Sequence, residues 1–566
     1  MILQALYDYY NRSKGKLPVF GQEFKEIGFL IVIDQEGKFI RFEDRRIDNK
    51  HAQKFLVKKS VGRTSAPMAN YLYDNSAYVF GFSDKGNAEK LFITFKAKIE
   101  EIYLSAPDNE DINAVYRFYQ NDLGNIHSTL HQDPLWSEVE KNLSKKYSNF
   151  SFLIDGKSKI VAENEDLLAL FSNEDRSDEH ICLVSGEKGK TVETTTATMI
   201  TGSQATAKLV AFQVKSGYDS YGKEKGYNAP ISERAEFAYT TALNHLLASN
   251  SRNKFVIGDR TFVFWASRDD EACKQAEESI FSLFGFKDED NPDRGIEQVR
   301  KVFSSIYSDN IKTTLDDRFF ILGLAPNAAR IAVTYWAEIP LRDFATLILR
   351  HFDDMEIVDT RKEQKPYMSL RTILSAVTLG GKTSDVTPNL PESVIKSIFQ
   401  GLSYPYTFFA SCIRRIRAEQ TIGITRAAII KAYLNRQNNN EQKITVMLDK
   451  DNQNQGYLCG RLFAVLDKIQ SDANNLHSIR ERYMNAASST PAAVFSTILN
   501  LSSHHSEKLS ERKRIYFEKL KQEIIDKISA DGFPSHLDLQ DQGRFFVGYY
   551  HQLQSFFTKD DDTTIE

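Results

Sequence analysis

The chain has 566 residues, 41% of them hydrophobic and 26% charged, and a formal net charge of −4. That length exceeds a single core and predicts about two to four domains. The near-neutral balance excludes a polycation, so any grip on nucleic acid must come from local patches.

The first residues, ‘MILQALYDYYNRSKGK’, lack a basic stretch ahead of their apolar part and carry Asp8. They read as an amphipathic helix and not as a signal peptide. No apolar run is long enough to span a bilayer. Cys182, Cys273, Cys412 and Cys459 lie far apart without a CxxC pair. Reduced thiols in a cytoplasmic protein are expected, with no metal and no cofactor.

‘GFLIVIDQEGKFIRFEDRR’ predicts two strands joined by a turn at Gly37. Residues 50–64, ‘KHAQKFLVKKSVGRT’, then hold Lys50, Lys54, Lys58, Lys59 and Arg63 and no acid. Such a strip attracts phosphates without reading sequence. It runs into ‘SAPMANYLYDNSAYVFG’, where Asn70 and Asn75 alternate with Tyr71, Tyr73 and Tyr78. A planar amide offers a donor and an acceptor to a base edge, and a ring can stack on a base or brace the loop. The alternative is that Asn70, Asp74 and Asn75 cap a turn and the tyrosines are half-buried strand residues.

‘NFSFLIDGKSKIVA’ predicts a hairpin at Asp155-Gly156. The acidic stretches 163–179 and 269–294 each carry −6 and would repel a phosphate backbone. Residues 217–232, ‘GYDSYGKEKGYNAPIS’, interleave glycines with Tyr218, Tyr221, Lys223, Lys225 and Tyr227. A loop of this kind can follow a strand of nucleic acid, or its tyrosines can simply anchor it. A helix is expected over 231–249. ‘KFVIGDRTFVFWAS’ predicts strands about Gly258-Asp259, and ‘ARIAVTYWAEI’ a buried strand.

After about residue 341, helical periodicity replaces strand signals. ‘TRKEQKP’, ‘GGKTSDVTPNLP’ and ‘NRQNNNEQK’ are candidate linkers. Residues 407–436 carry +5, with Arg414, Arg415, Arg417, Arg426, Lys431 and Arg436 against Glu419. Either these grip a phosphate chain or they form a solvated helix face. ‘KLSERKRIYFEKLK’ mixes its cations with acids and reads as a solvated face. Leu458, Leu462, Val465, Leu466 and Ile469 mark one helix face. Thr490-Pro491 fits a helix start. Phe545, Phe546, Tyr549, Tyr550, Leu553, Phe556 and Phe557 stripe a last helix, followed by an acidic tail.

Enzyme signatures are weak. ‘GEKGKT’ and ‘GGKTS’ lack the first glycine of a phosphate loop, where Val184 and Ala376 stand. ‘HSTLH’ has Ser128 where a metalloprotease needs glutamate. His504-His505 have no neighbouring carboxylate, and no G-x-S-x-G elbow occurs.

‘MILQAL’, ‘RTSAPMANYLYDNSAYVFG’, ‘SYGKEKGYNAPIS’ with ‘FAYTTALNHLL’, ‘RRIRAEQ’ with ‘RAAIIKAYLNR’, ‘GRLFAVLDKIQ’, ‘AASSTPAAVF’ and ‘DQGRFFVGYYHQ’ follow in order along nearly the whole chain. Together they resemble the large subunit of the type I-C CRISPR surveillance complex, Cascade. The segment 201–213 departs from that pattern, with fewer glycines than expected.

The resemblance implies a non-catalytic subunit that reads the protospacer-adjacent motif on double-stranded DNA, assists duplex opening and stabilises the displaced strand. A helicase-nuclease recruited in trans does the cutting. Guide crRNA, target DNA and handle-binding, backbone and small subunits are the implied partners, and no membrane. It also implies a helical C-terminal part equivalent to the small subunit and made separately from an internal start, for which Met447 is the candidate.

By residue type, Asn70 and Asn75 are assigned to motif reading and Lys58, Lys59 and Arg63 to DNA phosphates. Tyr221, Lys223, Lys225 and Tyr227 form a loop on nucleic acid. Arg414, Arg415, Arg417 and Arg426 are assigned to displaced-strand or guide contacts. The expected fold is α+β: an N-terminal mixed region with antiparallel strands (1–365), a helical linker region with the basic helix (366–446) and an all-α bundle (447–566). The alternative is a metal-dependent nuclease whose scattered carboxylates leave no local motif.

Overall fold

The computed structural model describes residues 2–13, 15–61, 63, 66–82, 88–145, 147–170, 179–212, 219, 221–285, 293, 295–361, 367–437 and 442–558. It comprises two compact units. One is formed by Leu6–Thr196 with Phe212–Ala242, the other by Met1–Ala5, Ala197–Ala211 and Leu243–Glu566.

In the first unit, β1 (Gln22–Glu26), β2 (Phe29–Ile33), β3 (Phe39–Asp44), β4 (Lys54–Lys58), β5 (Tyr73–Asn75) and β6 (Asn149–Ile154) make two sheets, β1-β4 and β3-β2-β6-β5. β2 and β3 meet as expected at Gly37, whose φ of 79° suits glycine. A Cβ there would lie 2.6 Å from Phe118 N. β2 and β6 run parallel and the other pairs are antiparallel. A parallel pair needs a long crossover, and residues 34–148 supply it. Every residue of β2 is buried, so both faces of the sheet are covered there.

The hairpin expected at Asp155-Gly156 does not form. β6 already has β2 and β5 on its two edges, so no edge is left for a returning strand. The chain turns there and enters a 3-10 turn at Val161–Glu163. A small ribbon, β7 (Glu179–Ile181) with β8 (Lys188–Lys190), completes this unit's strands among the described residues.

The second unit holds an antiparallel sheet, β12-β11-β10-β9, from β9 (Lys254–Ile257), β10 (Arg260–Ala266), β11 (Arg318–Asn327) and β12 (Arg330–Pro340). One face carries a ladder of Trp265, Phe320 and Trp336, with centroids 5.4 and 5.7 Å apart. The other packs on helices, with Phe319 stacked 4.5 Å from Phe344 of the Leu341–Met355 helix. β12 is not the buried strand expected: it is the sheet edge, and Val333 is 44% exposed. β11, between two neighbours, is the buried one.

Helices follow residue 341, as the periodicity predicts. Their core is continuous with the sheet's, running from Phe255 to Tyr550. The packing therefore does not break near 365 or 446. The helix Gln455–Asn474 is buried on all sides along most of its length, not on the single face read from Leu458 to Ile469. It lies against Leu539–Ser555. Pro491 does start the helix Pro491–Ser506, but the Thr490 hydroxyl turns back to Ala486 O instead of capping it.

Candidate nucleic-acid interface

β4 alternates: Phe55 and Val57 point inward, while Lys54 and Lys58 face out. Lys58 Nζ lies 4.9 Å from the Tyr71 ring centre. Burial, and Lys98 beside it, push its pKa down, partly offset by Glu101. Lys59 is exposed, donates to Thr196 Oγ1 at 3.2 Å and lies over the Phe237 ring.

The loop after β4 is tied at each tyrosine. The Tyr73 hydroxyl, with one proton to give, lies within hydrogen-bond reach of Lys58 O and Glu23 Oε1, at 3.1 and 3.2 Å, and meets Ser60 Oγ at 2.9 Å. Tyr71 donates to Leu167 O at 2.6 Å, and Tyr78 accepts from Met68 N. Leu72 between them has φ 62°, a conformation costly for a branched residue and held only by firm surroundings.

At the centre stands Asp74, 1% exposed. Burial pushes its carboxyl pKa up, against the pull of Arg63 and of the Asn70 and Asn75 backbone N–H groups. Arg63 pairs with it, donates to Met68 O at 2.9 Å and lies 4.1 Å over Tyr78. The guanidinium is thus folded onto the loop.

Asn70 is 5% exposed, and its Oδ1 accepts from Val61 N at 2.9 Å. Asn75 is half-buried and caps Ser76–Val79, its Oδ1 accepting from Ala77 N at 3.1 Å. Both oxygens are fixed as acceptors by backbone N–H groups. Among the described residues neither Nδ2 has a partner. The capping and bracing considered from sequence are therefore present, and what each asparagine still offers is a donor.

In the second loop, Tyr221 is fully exposed with φ 54°, and Lys223 is exposed. Lys225 instead pairs with Glu193 at 2.6 Å, and Tyr227 meets His180 edge-on. Gly226 sits so close to Val192 O that no side chain fits. The loop is pinned at one end and projects at the other. Gly217 and Tyr218 lie outside the described residues.

The basic segment divides. Lys431 is buried and donates to Asp353 O and Asp354 O; Arg436 is buried against Asp354, Ser397 O and Leu402 O. Arg426 is held by Glu419, Ala376 O and Thr421 O. Arg417 donates to Gln542 at 3.4 Å. Arg414 is exposed, touching Ser411 Oγ at 3.3 Å, and Arg415 ion-pairs with Glu419 at 3.4 Å. Arg436 pairs with an acid distant in sequence, Asp354, while Glu419 within the segment takes Arg415 and Arg426, and Lys431, Arg417 and Arg414 meet uncharged acceptors. Met447 is 63% exposed in an irregular stretch before the Gln455–Asn474 helix.

Asp270, Cys273 and Asp317 bring ligand-type atoms within 4.8 Å of one another, a grouping that their spacing hides. Asp270 caps the helix Glu271–Phe284 through Cys273 N, and Asp317 accepts from Thr314 N. Burial and the two carboxylates push the Cys273 thiol up to about 12. The Arg268 guanidinium lies 3.7 Å from Asp317 and competes with any cation for that carboxylate. His127 is engaged by Phe80 O, and His131 packs on Trp136. No helix of the described residues is long and apolar enough to cross a membrane.

A mixed α+β chain with rigid, tyrosine-tied cationic loops is the class these observations define. The chain matches the family described as CRISPR-associated protein (Cas_Csd1) over residues 6–557, and it belongs to that family. This agrees with the resemblance to the large subunit of type I-C Cascade. No curated protein matches the chain.

Proposed function

We propose that the protein is the non-catalytic large subunit of a type I-C Cascade. It reads the protospacer-adjacent motif on double-stranded DNA, helps open the duplex and holds the displaced strand. It works with guide crRNA and the handle-binding, backbone and small subunits, and a helicase-nuclease recruited in trans cuts the DNA. The observation that carries this reading is the firm loop between Lys58 and Tyr78, with amide donors set beside cations.

Bidentate pairing with adenine needs an amide acceptor and a donor together. With both Oδ1 atoms committed, Asn70 and Asn75 act as single donors toward base acceptors, such as those of A·T pairs in the minor groove. Asn75, the more exposed of the two, makes the principal contact. Lys58 and Lys59 face the phosphates, while Arg63 stiffens the loop through Asp74.

In the assembled complex, Asn75→Ala relaxes motif preference by about 1–3 kcal/mol. Lys59→Ala weakens binding to every sequence alike and flattens its salt dependence. Competition binding with matched and mismatched duplexes separates the two, and equal losses on both duplexes for Asn75→Ala would refute its role. Sustained cleavage by the purified chain, abolished by a chelator, would overturn the non-catalytic reading.

A further inference from the structure

A cavity of about 210 Å³ opens between the 377–387 segment, the start of the Leu390–Phe399 helix and the basic helix Tyr406–Glu419. Val386 and Leu390 give it a buried apolar side. Thr387 and Ser411 add hydroxyls, and Arg414 and Arg415 add cations. Arg415 Nε is buried and faces Glu419 Oε1 at 3.4 Å, so the exposed Arg414 is the cation more open to a ligand.

We propose that this cavity seats one unstacked nucleotide of a single strand, its base against Val386 and Leu390 and its phosphate on Arg414. The proposal rests on the nucleic-acid reading above and names the ligand of the basic helix. Three observations support it. The volume is below the roughly 300–1,000 Å³ of pockets that enclose a whole drug-sized ligand, so only part of a longer molecule enters. The lining pairs an apolar wall with cations, which matches a base joined to a phosphate. Asp385, also in the lining, disfavours a bare anion and favours a neutral hydrogen-bonding body.

The test uses the full chain and a short single-stranded DNA with 2-aminopurine at one position, scanned along the strand. Affinity is read by anisotropy and base seating by fluorescence intensity. No aromatic residue is in the lining. A seated 2-aminopurine therefore leaves its stacked neighbours without meeting a new quencher, and brightens several-fold at one or a few positions.

Ser411→Leu fills the cavity, removes the hydroxyl that Arg414 touches and abolishes the brightening, with affinity falling several-fold as the base seat is lost. Arg414→Ala, at an exposed position, weakens affinity several-fold and lowers the salt slope by about 1. Binding without brightening in the unmodified chain overturns the proposal, as does brightening that survives Ser411→Leu. An unchanged affinity in Arg414→Ala does the same and keeps the proposal falsifiable if Ser411→Leu fails to fold. A chain that binds no single strand at all overturns the nucleic-acid reading itself.

Discussion

Asp74 gathers more of the candidate site than any residue singled out from the sequence. Its buried carboxylate holds Arg63 and accepts from the backbone N–H groups of Asn70 and Asn75, and so fixes where both asparagines stand. Removing it leaves a partly buried guanidinium and two backbone donors without their acceptor. Asp74→Ala is expected to cost about 2–4 kcal/mol by chemical denaturation and to erase motif preference even with both asparagines intact. A variant of unchanged stability that still discriminated motifs would show the loop to be set by other contacts. Tyr221 is the opposite case. Nothing in the fold depends on its exposed ring, so Tyr221→Ala leaves the melting temperature unchanged, and the reading of this loop predicts a loss of about 1–3 kcal/mol of single-strand affinity. Residue type makes Tyr221 legible. Asp74 reads from sequence only as a turn residue, because its partners Arg63 and the Asn70 and Asn75 backbone N–H groups come together only in three dimensions.

Between elements, Gln455–Asn474 and Leu539–Ser555 approach each other closely. A Cβ on Gly460 would lie 1.9 Å from Phe545 O, and one on Gly548 2.3 Å from Tyr457 O. Gly460→Ala must push these helices apart and is expected to cost about 3 kcal/mol or more, read as a shifted denaturation midpoint. The same pair buries His551, whose Nδ1 meets Tyr457 hydroxyl at 3.0 Å. Burial, with Lys431 nearby, holds its pKa down to about 3. His351 is held down to about 3 by burial and Arg436. The unfolded chain binds these protons near pH 6.5, so their contribution is complete above that value and is lost as pH falls toward about 3. Near pH 5 each neutral histidine costs on the order of 2 kcal/mol of stability. His551→Asn should therefore melt with a weaker pH dependence than the parent between neutrality and pH 5, and an unchanged dependence would show that another group titrates. Periodicity announced this helix from Leu458 to Ile469. It could not announce that Arg461 and Asp467 are buried too, because Glu523, Gln552 and Tyr549, which satisfy them, lie far along the chain.

Across the whole molecule, the change from strands to helices after residue 341 was plain from sequence, but texture is not packing. The last helix meets residues well before Met447: a Cβ on Gly543 would lie 2.8 Å from Phe409, and Tyr550 hydroxyl donates to Val358 O at 2.7 Å. Thr360 donates to Gln554, and Val358 N to Val446 O. A separate 447–566 product would keep the Gln455–Asn474 and Leu539–Ser555 pair yet lose this covering. It is expected to self-associate or to seek a partner surface, and to melt several degrees below the full chain. Light scattering and calorimetry on the isolated segment check this; a monomer as stable as the full chain would mean that the covering contributes nothing. Met447 allows a clean test of the product's origin, because its exposed side chain can be changed to Leu without disturbing the core. If Met447 is the internal start, Met447→Leu removes the small C-terminal product and leaves the full chain's stability unaltered, whereas persistence of that product would move the start elsewhere.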